Sequence, residues 1–338
     1  MDALPRGAIH PDEIGRALKV YGQPRTGRSL FEVGASVLPF VAIWIAMWAA
    51  LVHVGYWLVL LLAVPAAGFL VRLFLIQHDC GHSSVFRRQW ANDWLGRVLG
   101  VITLTPYDHW RRTHALHHAG SGNLERRGIG DVATLTVREY RALGRFGRLR
   151  YRLYRHPAIL FGIGPLFVFV LHHRLPIGFM QSGAMHWTST MGTNAAIAGV
   201  TAVLIWIVGV GPFLAIHGPI AFLGAAAGVW LFYVQHQFEH TYWDAPPSWR
   251  RPVAALEGSS HYHLPGVLRW LTANIGIHHV HHLSSRIPHY RLPEVLRDHP
   301  ELDAMNRLTI ADSLRSVRLS LWDEDRRRLV PFSTARLS

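Results

Sequence analysis

The chain has 338 residues, of which 50% are hydrophobic and 16% are charged, whereas about 25% of the residues of an ordinary soluble domain are charged. Its formal net charge is +13, and nearly all of the cations are arginines that fall between apolar segments. This pattern favours the loops of a membrane protein and argues against nucleic acid as a partner. The single cysteine, Cys80, excludes an intrachain disulfide and a CxxC zinc site.

The first part of the chain predicts a polar arm followed by a membrane hairpin. Residues 1–30 are polar, contain proline and glycine, and lack the pattern of a cleavable signal peptide. Apolar runs at about 31–52 and 56–77 each approach the roughly 20 residues that a spanning helix needs. Because only a short segment separates the two runs, we expect a tight turn between them.

The rest of the chain predicts a second hairpin and two segments that do not cross the bilayer. The apolar piece 94–104 is too short to span and is expected to lie in the membrane interface. The run 157–171 is short and bounded by arginines, so it is assigned to the interface as well. Runs at 194–210 and 212–234, joined by Gly211, predict the second pair of spans.

Four clusters of histidine lie near the ends of these segments. On a helix, residues three and four apart share one face, so each cluster projects its imidazoles in one direction. The candidate ligands are His78 and His82; His114, His117 and His118; His236 and His240; and His278, His281 and His282. One zinc ion takes three or four protein ligands, so eight or more imidazoles in one cage imply two metal ions. Imidazole suits zinc, copper, iron and nickel, so the ligands alone do not name the metal.

The same clusters predict the topology. Ligands of one site must lie on one side of the membrane, so an even number of crossings must separate the first cluster from the last. Four spans satisfy this condition if 157–171 does not cross. The positive-inside rule then places the arginine-rich loop 105–155, the histidines and both termini in the cytoplasm. The expected fold is an all-α integral membrane protein with a cytosolic arm (1–30), a membrane domain (31–300) whose helical cap holds a dimetal site, and a cytosolic tail (301–338).

Other kinds of metal site fit the pattern less well. Haem ligands in membrane proteins are usually isolated histidines inside spans, whereas these histidines cluster beyond the span ends. A zinc protease needs the glutamate of an HExxH motif, and the sequence contains none. Asp79 and Glu239 adjoin the clusters and are candidates for orienting a ligand imidazole through its other ring nitrogen.

The chain resembles the membrane fatty acid desaturases over roughly residues 35–295. The resemblance rests on three histidine boxes in order, HDCGH at 78–82, HxxHH at 114–118 and HxxHH at 278–282. The sequence near the boxes is similar to that of the bacterial acyl-lipid, Δ12-type branch of that family. The similar segments are Trp110-Arg111, residues 235–243 and residues 281–288.

This resemblance implies a reaction, its cofactors and its partners. The family places its boxes in a cytosolic cap over four spanning helices, which agrees with the topology above. It uses a non-haem di-iron centre, that is two iron ions, and dioxygen to insert a cis double bond into a long acyl chain. The implied partners are a fatty acyl lipid or thioester substrate, membrane lipid, and a separate electron donor such as a ferredoxin.

Two other functions stay open from the residues alone. A hydroxylase or ketolase of the same histidine-box superfamily would act on an alkane, a sterol or a carotenoid. The Δ12-like sequence near the boxes favours desaturation instead. A non-catalytic metal-binding or transport protein would place polar ligands at the bilayer midplane, where these spans carry few.

Overall fold

The computed structural model describes residues 10–128 and 130–336, and these are mostly helical. The start of the predicted arm and the last two residues of the predicted tail lie outside the described residues. The helices are α1 (Pro11–Ala17), α2 (Thr26–His53), α3 (Tyr56–Gly81), α4 (Gln89–Ile102), α5 (Tyr107–Gly120), α6 (Val137–Ala142), α7 (Arg145–Tyr154), α8 (Gly164–Leu166), α9 (Ala184–Val208), α10 (Val210–His236), α11 (Arg251–Glu257), α12 (Gly266–Leu271), α13 (His278–Leu283), α14 (Leu292–Asp298), α15 (Pro300–Asp303) and α16 (Ile310–Ser316).

Four of these helices, α2, α3, α9 and α10, are long and apolar enough to cross a membrane. The prediction of a mostly helical membrane protein with four long apolar helices is therefore confirmed. Helix α9 begins at Ala184 rather than near residue 194, because its polar first turns pack against α5. There the hydroxyl of Ser189 accepts from the backbone N–H of His109 at 3.3 Å, and Nδ1 of His186 lies 2.9 Å from Nδ1 of His109.

Glycine makes both tight turns between the spans. Gly55 separates α2 from α3 with φ +139°, and Gly209 separates α9 from α10 with φ +87°. Residues with a Cβ rarely adopt these backbone conformations. The second break thus falls at Gly209 and not at the predicted Gly211, which lies inside α10.

Helix α3 is the central helix of the bundle and contacts α2, α4 and α10. In its most apolar stretch 56% of the residues are buried, against 6% in the most apolar stretch of α9. Small residues such as Ala63 and Ala66 are fully buried and let the neighbouring helices approach closely. This packing fixes the position of the end of α3, which carries the first histidine box.

The two segments predicted to lie in the interface have different structures. Residues 94–104 fall largely in α4, where Trp90, Trp94 and Val98 form an exposed stripe with helical spacing. Residues 157–171 form two π-helical turns around α8, and this segment is bent by 53° from α7. By length and composition, the bent pair would count as a fifth span if it crossed. Its place in the interface stays a prediction that rests on the parity of crossings.

Short strands complete the cap beside the spans. Strand β1 (Leu135–Thr136) pairs in parallel with β4 (Leu321–Asp323), which pairs antiparallel with β5 (Arg328–Val330); β2 (His261–Tyr262) pairs in parallel with β3 (Arg307–Leu308). The predicted tail contributes three of these strands. It also packs on the end of α10, where the hydroxyl of Tyr233 donates to the carbonyl of Ser316 at 2.9 Å.

Candidate metal centre

Nine of the ten predicted histidines converge where the ends of α3 and α10 meet α5 and α13. Helix α3 carries His78 in its last turn, and His82 is its C-terminal cap. Helix α10 ends at His236. Helices α5 and α13 each carry an HxxHH box. Two spanning helices and two cap helices therefore bring the boxes together.

A first group contains five histidines: His78, His82, His114, His118 and His281. One ring nitrogen of each lies within 4.8 Å of one ring nitrogen of every other. Nε2 of His114 lies 3.0 Å from Nε2 of His82 and 3.0 Å from Nε2 of His118. The rings of His78 and His281 lie 4.6 Å apart between centroids. This group joins residues from all three boxes.

A second group contains His117, His236 and His282, again with ring nitrogens within 4.8 Å of one another. Nε2 of His236 lies 3.2 Å from Nε2 of His117 and 3.0 Å from Nε2 of His278, so His278 adjoins this group. The two groups touch, because the rings of His118 and His282 stack with their centroids 4.1 Å apart.

Helical spacing explains how one HxxHH box serves both groups. In α5, His114 and His118 are four residues apart and face the first group. His117 points about 100° away from His118 around the helix and reaches the second group. In α13 the division is reversed, because only His281 faces the first group. Each box thus lies between two sites.

The ring nitrogens fit metal ligands. Nε2 of His281 and Nε2 of His282 are buried and have no hydrogen-bond partner among the described residues. Unsatisfied buried polar atoms are costly, and a metal ion would satisfy these two. Two nitrogens bound at about 2.1 Å to one ion, with bonds about 90° apart, lie about 3.0 Å from each other. The Nε2 of His114 has that spacing to two neighbours.

Burial favours the neutral form of six of the clustered histidines. Burial, reinforced by neighbouring histidines, lowers the pKa values of His82, His114, His118, His278, His281 and His282 well below their usual range. A neutral ring keeps a lone pair for a metal ion, whereas a protonated ring does not. Since the pKa values are lowered, these rings stay available at neutral pH.

Asp131 is a site residue that the sequence analysis missed. Its Oδ1 lies 2.5 Å from Nδ1 of His117, whose Nε2 faces His236. A carboxylate on the outer nitrogen fixes the tautomer and the orientation of a ligand imidazole. Asp131 lies in a loop beyond α5, where no helical periodicity links it to the box. Its position shortly after the second histidine box is the only sequence signal that could have pointed to this carboxylate.

We expect the variant Asp131→Asn to bind metal at the second group about 10- to 100-fold more weakly, because His117 loses its carboxylate partner. Metal content per chain, measured after dialysis against graded chelator, would show this loss. The matched control is Asp108→Asn, since Asp108 also belongs to the α5 region but pairs with Arg97. Equal retention of metal by both variants would contradict this role for Asp131.

The structure does not bring His240 and Glu239 to the cluster. We expected His236 and His240 to share a helical face, but α10 ends at His236, so that expectation is wrong. Beyond this end the chain turns, and the side chains of Glu239 and His240 are exposed. Oε1 of Glu239 accepts from Arg328 at 2.9 Å and contacts no clustered histidine.

Asp79 lies beside the first group, and its role in orienting a ligand imidazole stays a prediction. Its Oδ1 is 3.5 Å from Nδ1 of His78, an electrostatic contact too long for a hydrogen bond. Its Oδ2 accepts from the backbone N–H and from the ring of His289, which lies outside the histidine boxes. His279, which shares a box with His278, is turned away and lies 2.9 Å from the carbonyl of Leu302.

An apolar cavity lies between α3, α10, the end of α4 and the π-helical segment. Its wall begins close to the metal groups, because Phe74 is one helical turn before His78. On α10 the lining runs from Gly228 back to His217. At about 1.5 Å per residue, these two positions lie about 12 and 28 Å along the helix from His236. The apolar lining of the cavity extends about 16 Å along α10, which suits part of an alkyl chain.

A four-span bundle whose ends hold two adjoining histidine groups beside an apolar cavity defines a membrane protein with a metal cofactor and an apolar substrate. The family model "Fatty acid desaturase" matches residues 55–313, and the chain belongs to this family. It is a membrane fatty acyl desaturase, an oxidoreductase of lipid metabolism.

The chain is similar to several named desaturases along most of its length. It is 44% identical to a fatty acid desaturase of Bacillus subtilis over 95% of this chain and 90% of that protein. It is 28% identical to an sn-1 oleoyl-lipid 12-desaturase of Picosynechococcus over 86% of this chain and 78% of that protein. It is 27% identical to an sn-1 acyl-lipid omega-3 desaturase (ferredoxin) of Synechocystis over 65% of this chain and 61% of that protein. These relatives do not favour a hydroxylase or ketolase function. They do not favour a transport function either.

Proposed function

We propose that this desaturase holds two iron ions in its two histidine groups and uses dioxygen to insert a cis double bond into a long acyl chain. The observation that carries the proposal is the presence of two adjoining groups of nitrogen ligands beside an apolar cavity. The proposed ligands are the nine clustered histidines, without His240. Bound iron supplies, with dioxygen and two external electrons, the oxidising power to remove hydrogen from unactivated methylene groups.

The residues of the chain hold the metal and place the substrate. The neutral imidazoles provide ligands without adding negative charge to the site. Asp131 orients His117, and Asp79 stands beside His78. The cavity wall between α3 and α10 excludes water and keeps one stretch of the acyl chain against the histidine groups. The protein thereby selects the carbon positions, whereas the cofactor performs the oxidation.

The proposed substrate is an acyl chain esterified in a membrane lipid. Acyl lipids are the substrates named for two of the relatives above. The cavity is bordered by spanning helices, so a chain can reach it from the bilayer. The methyl end of the chain would lie toward His217, which is the lining residue of α10 farthest along the helix from His236.

We expect the variant Ala221→Trp to shorten the usable cavity, because Ala221 lines its distal half. Desaturation of long acyl chains should fall at least several-fold relative to shorter chains, since the methyl end no longer fits. Gas chromatography of membrane fatty acids would give the ratio of products by chain length. The control is Ala227→Trp, because Ala227 lies on the exposed side of α10. The same product ratio in both variants would contradict this placement of the chain.

We further propose that the histidine groups and both termini face the cytoplasm, where a separate electron donor reaches the cap. The arginines of 105–155 support this orientation by the positive-inside rule. Their role in donor binding is a separate question. In α7 the apolar side chains of Phe146, Leu149 and Leu153 are exposed at helical spacing beside arginines. This composition is typical of a helix that lies on an anionic membrane surface.

Salt dependence distinguishes donor steering from membrane anchoring. If α7 anchors the protein, turnover with a soluble ferredoxin below saturation should not change with added salt. Nor should it change when Arg145, Arg148 and Arg152 become glutamine and the variant still inserts. If the arginines steer an acidic donor, the rate should fall in both cases. We expect the result for anchoring, because the exposed apolar face of α7 suits lipid rather than a soluble protein.

The proposed function is tested by expression in a host of simple lipid composition. Double bonds absent from the host should appear in its lipid-bound fatty acids, and purified protein should contain about two iron ions per chain if both groups are filled. Active enzyme that contains stoichiometric zinc and no iron would overturn the di-iron assignment.

A further inference from the structure

A buried contact links the first histidine box to the segment that follows the third box. Oδ2 of Asp79 lies 2.8 Å from the backbone nitrogen of His289 and 2.8 Å from its ring Nδ1. Asp79 directly follows His78 in α3, whereas His289 follows the α13 box by one short loop. Both side chains are buried, with exposed fractions of 2% for Asp79 and 4% for His289. The contact thus fastens the end of a spanning helix to the cap.

The first and third boxes both supply the first group of ligands. His78 and His82 come from the end of α3, and His281 comes from α13. Ring centroids of His281 lie 4.6 Å from those of His78 and 4.8 Å from those of His82. A small shift of α13 relative to α3 would separate these rings. The first group therefore depends on whatever holds the two helices in register.

Other contacts hold His289 itself in place. Its carbonyl accepts from Nδ2 of Asn274 at 3.0 Å, and its Nε2 lies 3.7 Å from Oε2 of Glu32. Glu32 belongs to α2, so His289 contacts acids from two spanning helices. A single carboxylate oxygen of Asp79 accepts from both the backbone N–H and the ring N–H of His289, which restricts the rotation of both side chains.

We propose that His289 is a positioning residue for the first metal group: through Asp79 it fixes the end of α3 against the α13 box, and with it the rings of His78 and His281. The inference rests on the proposed function, because it takes these histidines as metal ligands. His289 itself is not a ligand. Its side chain acts on the metal only through the residues that it holds.

The test compares substitutions that differ in one hydrogen bond. His289→Leu removes the ring donor, whereas His289→Asn keeps an N–H close to the position of Nδ1, and His289→Gln moves it one bond farther out. The matched control is His279→Leu, which removes another buried histidine that bonds a carbonyl rather than Asp79. Iron per chain is measured on detergent-purified protein after dialysis against chelator, together with the melting temperature of the metal-free protein.

We expect His289→Leu to lower metal affinity at the first group by about 10- to 100-fold, so that iron falls from about two ions per chain toward about one. His289→Asn should restore most of the iron, and His289→Gln should restore less. His279→Leu should keep both ions even where its melting temperature falls. In an Asp79→Asn background, His289→Leu should cause little further loss, because both act through one contact.

Three results would overturn the proposal. The first is full iron binding by His289→Leu, and the second is equal iron loss in His289→Leu and His279→Leu, which would indicate general destabilisation. The third is equal behaviour of the Asn and Gln variants, which remains decisive if the Leu variant fails to fold. Failure of the unsubstituted protein to bind iron would instead refute the proposed di-iron function on which the inference rests.

Discussion

His236→Ala should abolish desaturation, whereas His240→Ala should leave it nearly unchanged. His236 lies between His117 and His278, with ring nitrogens 3.2 and 3.0 Å away, and its loss removes the centre of the second ligand group. His240 lies four residues later but is exposed and outside both groups. The two variants make the same chemical change in one short segment. They differ only in whether the imidazole belongs to the cluster.

Activity would be measured as double bonds formed in the lipids of the expression host, and membrane insertion by fractionation. We expect insertion of both variants, because the spans pack through contacts independent of the ligands. His114→Ala and His281→Ala, which each remove one ligand from the first group, should behave like His236→Ala. An active His236→Ala enzyme, or an inactive but inserted His240→Ala enzyme, would contradict the ligand assignment.

Arg72→Met should destabilise the membrane domain by about 3 kcal/mol, the lower end of the usual cost of removing one member of a buried ion pair, because Glu32 keeps Arg28 as a second partner. Arg72 in α3 and Glu32 in α2 form such a pair, and their exposed fractions are only 1% and 2%. The guanidinium also donates to Ser36 and to the carbonyl of Trp270, and it lies 4.0 Å from the centre of the Trp270 ring. Removing the arginine takes away the buried partner of Oε2 of Glu32, whereas Oε1 still accepts from Arg28 at 2.7 Å.

The double variant Arg72→Met with Glu32→Leu is the informative comparison. Replacing both members of a buried pair by apolar residues of similar size is often neutral or stabilising. We therefore expect the double variant to recover most of the stability that Arg72→Met loses. Free energies of unfolding, measured by titrating mixed micelles with a denaturing detergent, would show whether the double variant is more stable than Arg72→Met. A double variant as unstable as the single one would mean that the polar contacts to Ser36 and Trp270 matter more than the ion pair.

The same pair shows where sequence reasoning ends. Arg72 interrupts a predicted span and Glu32 stands at the edge of another, so both could be recognised as unusual from the sequence. Their pairing could not be recognised, because it depends on the rotation of α2 about its axis relative to α3. That rotation follows from the packing of the whole bundle, in which α3 is buried on several sides.

Sequence by itself determined the four spans, the histidine boxes and the family resemblance. These features are local: a run of apolar residues or a spacing of three and four residues has the same consequence wherever a helix forms. The register of the last box was predictable for the same reason. His279 is turned away from the cluster because it follows His278 by about 100° on a helix.

Only the tertiary structure decided how the histidines divide between two groups and which residues support them. His240 lies outside the cluster because α10 ends four residues earlier, and helix ends depend on the contacts beyond them. Asp131 and His289 reach the site through loops, whose paths have no period in the sequence. Such residues become part of a metal site only when packing returns a distant segment to it, which is a non-local property of the fold.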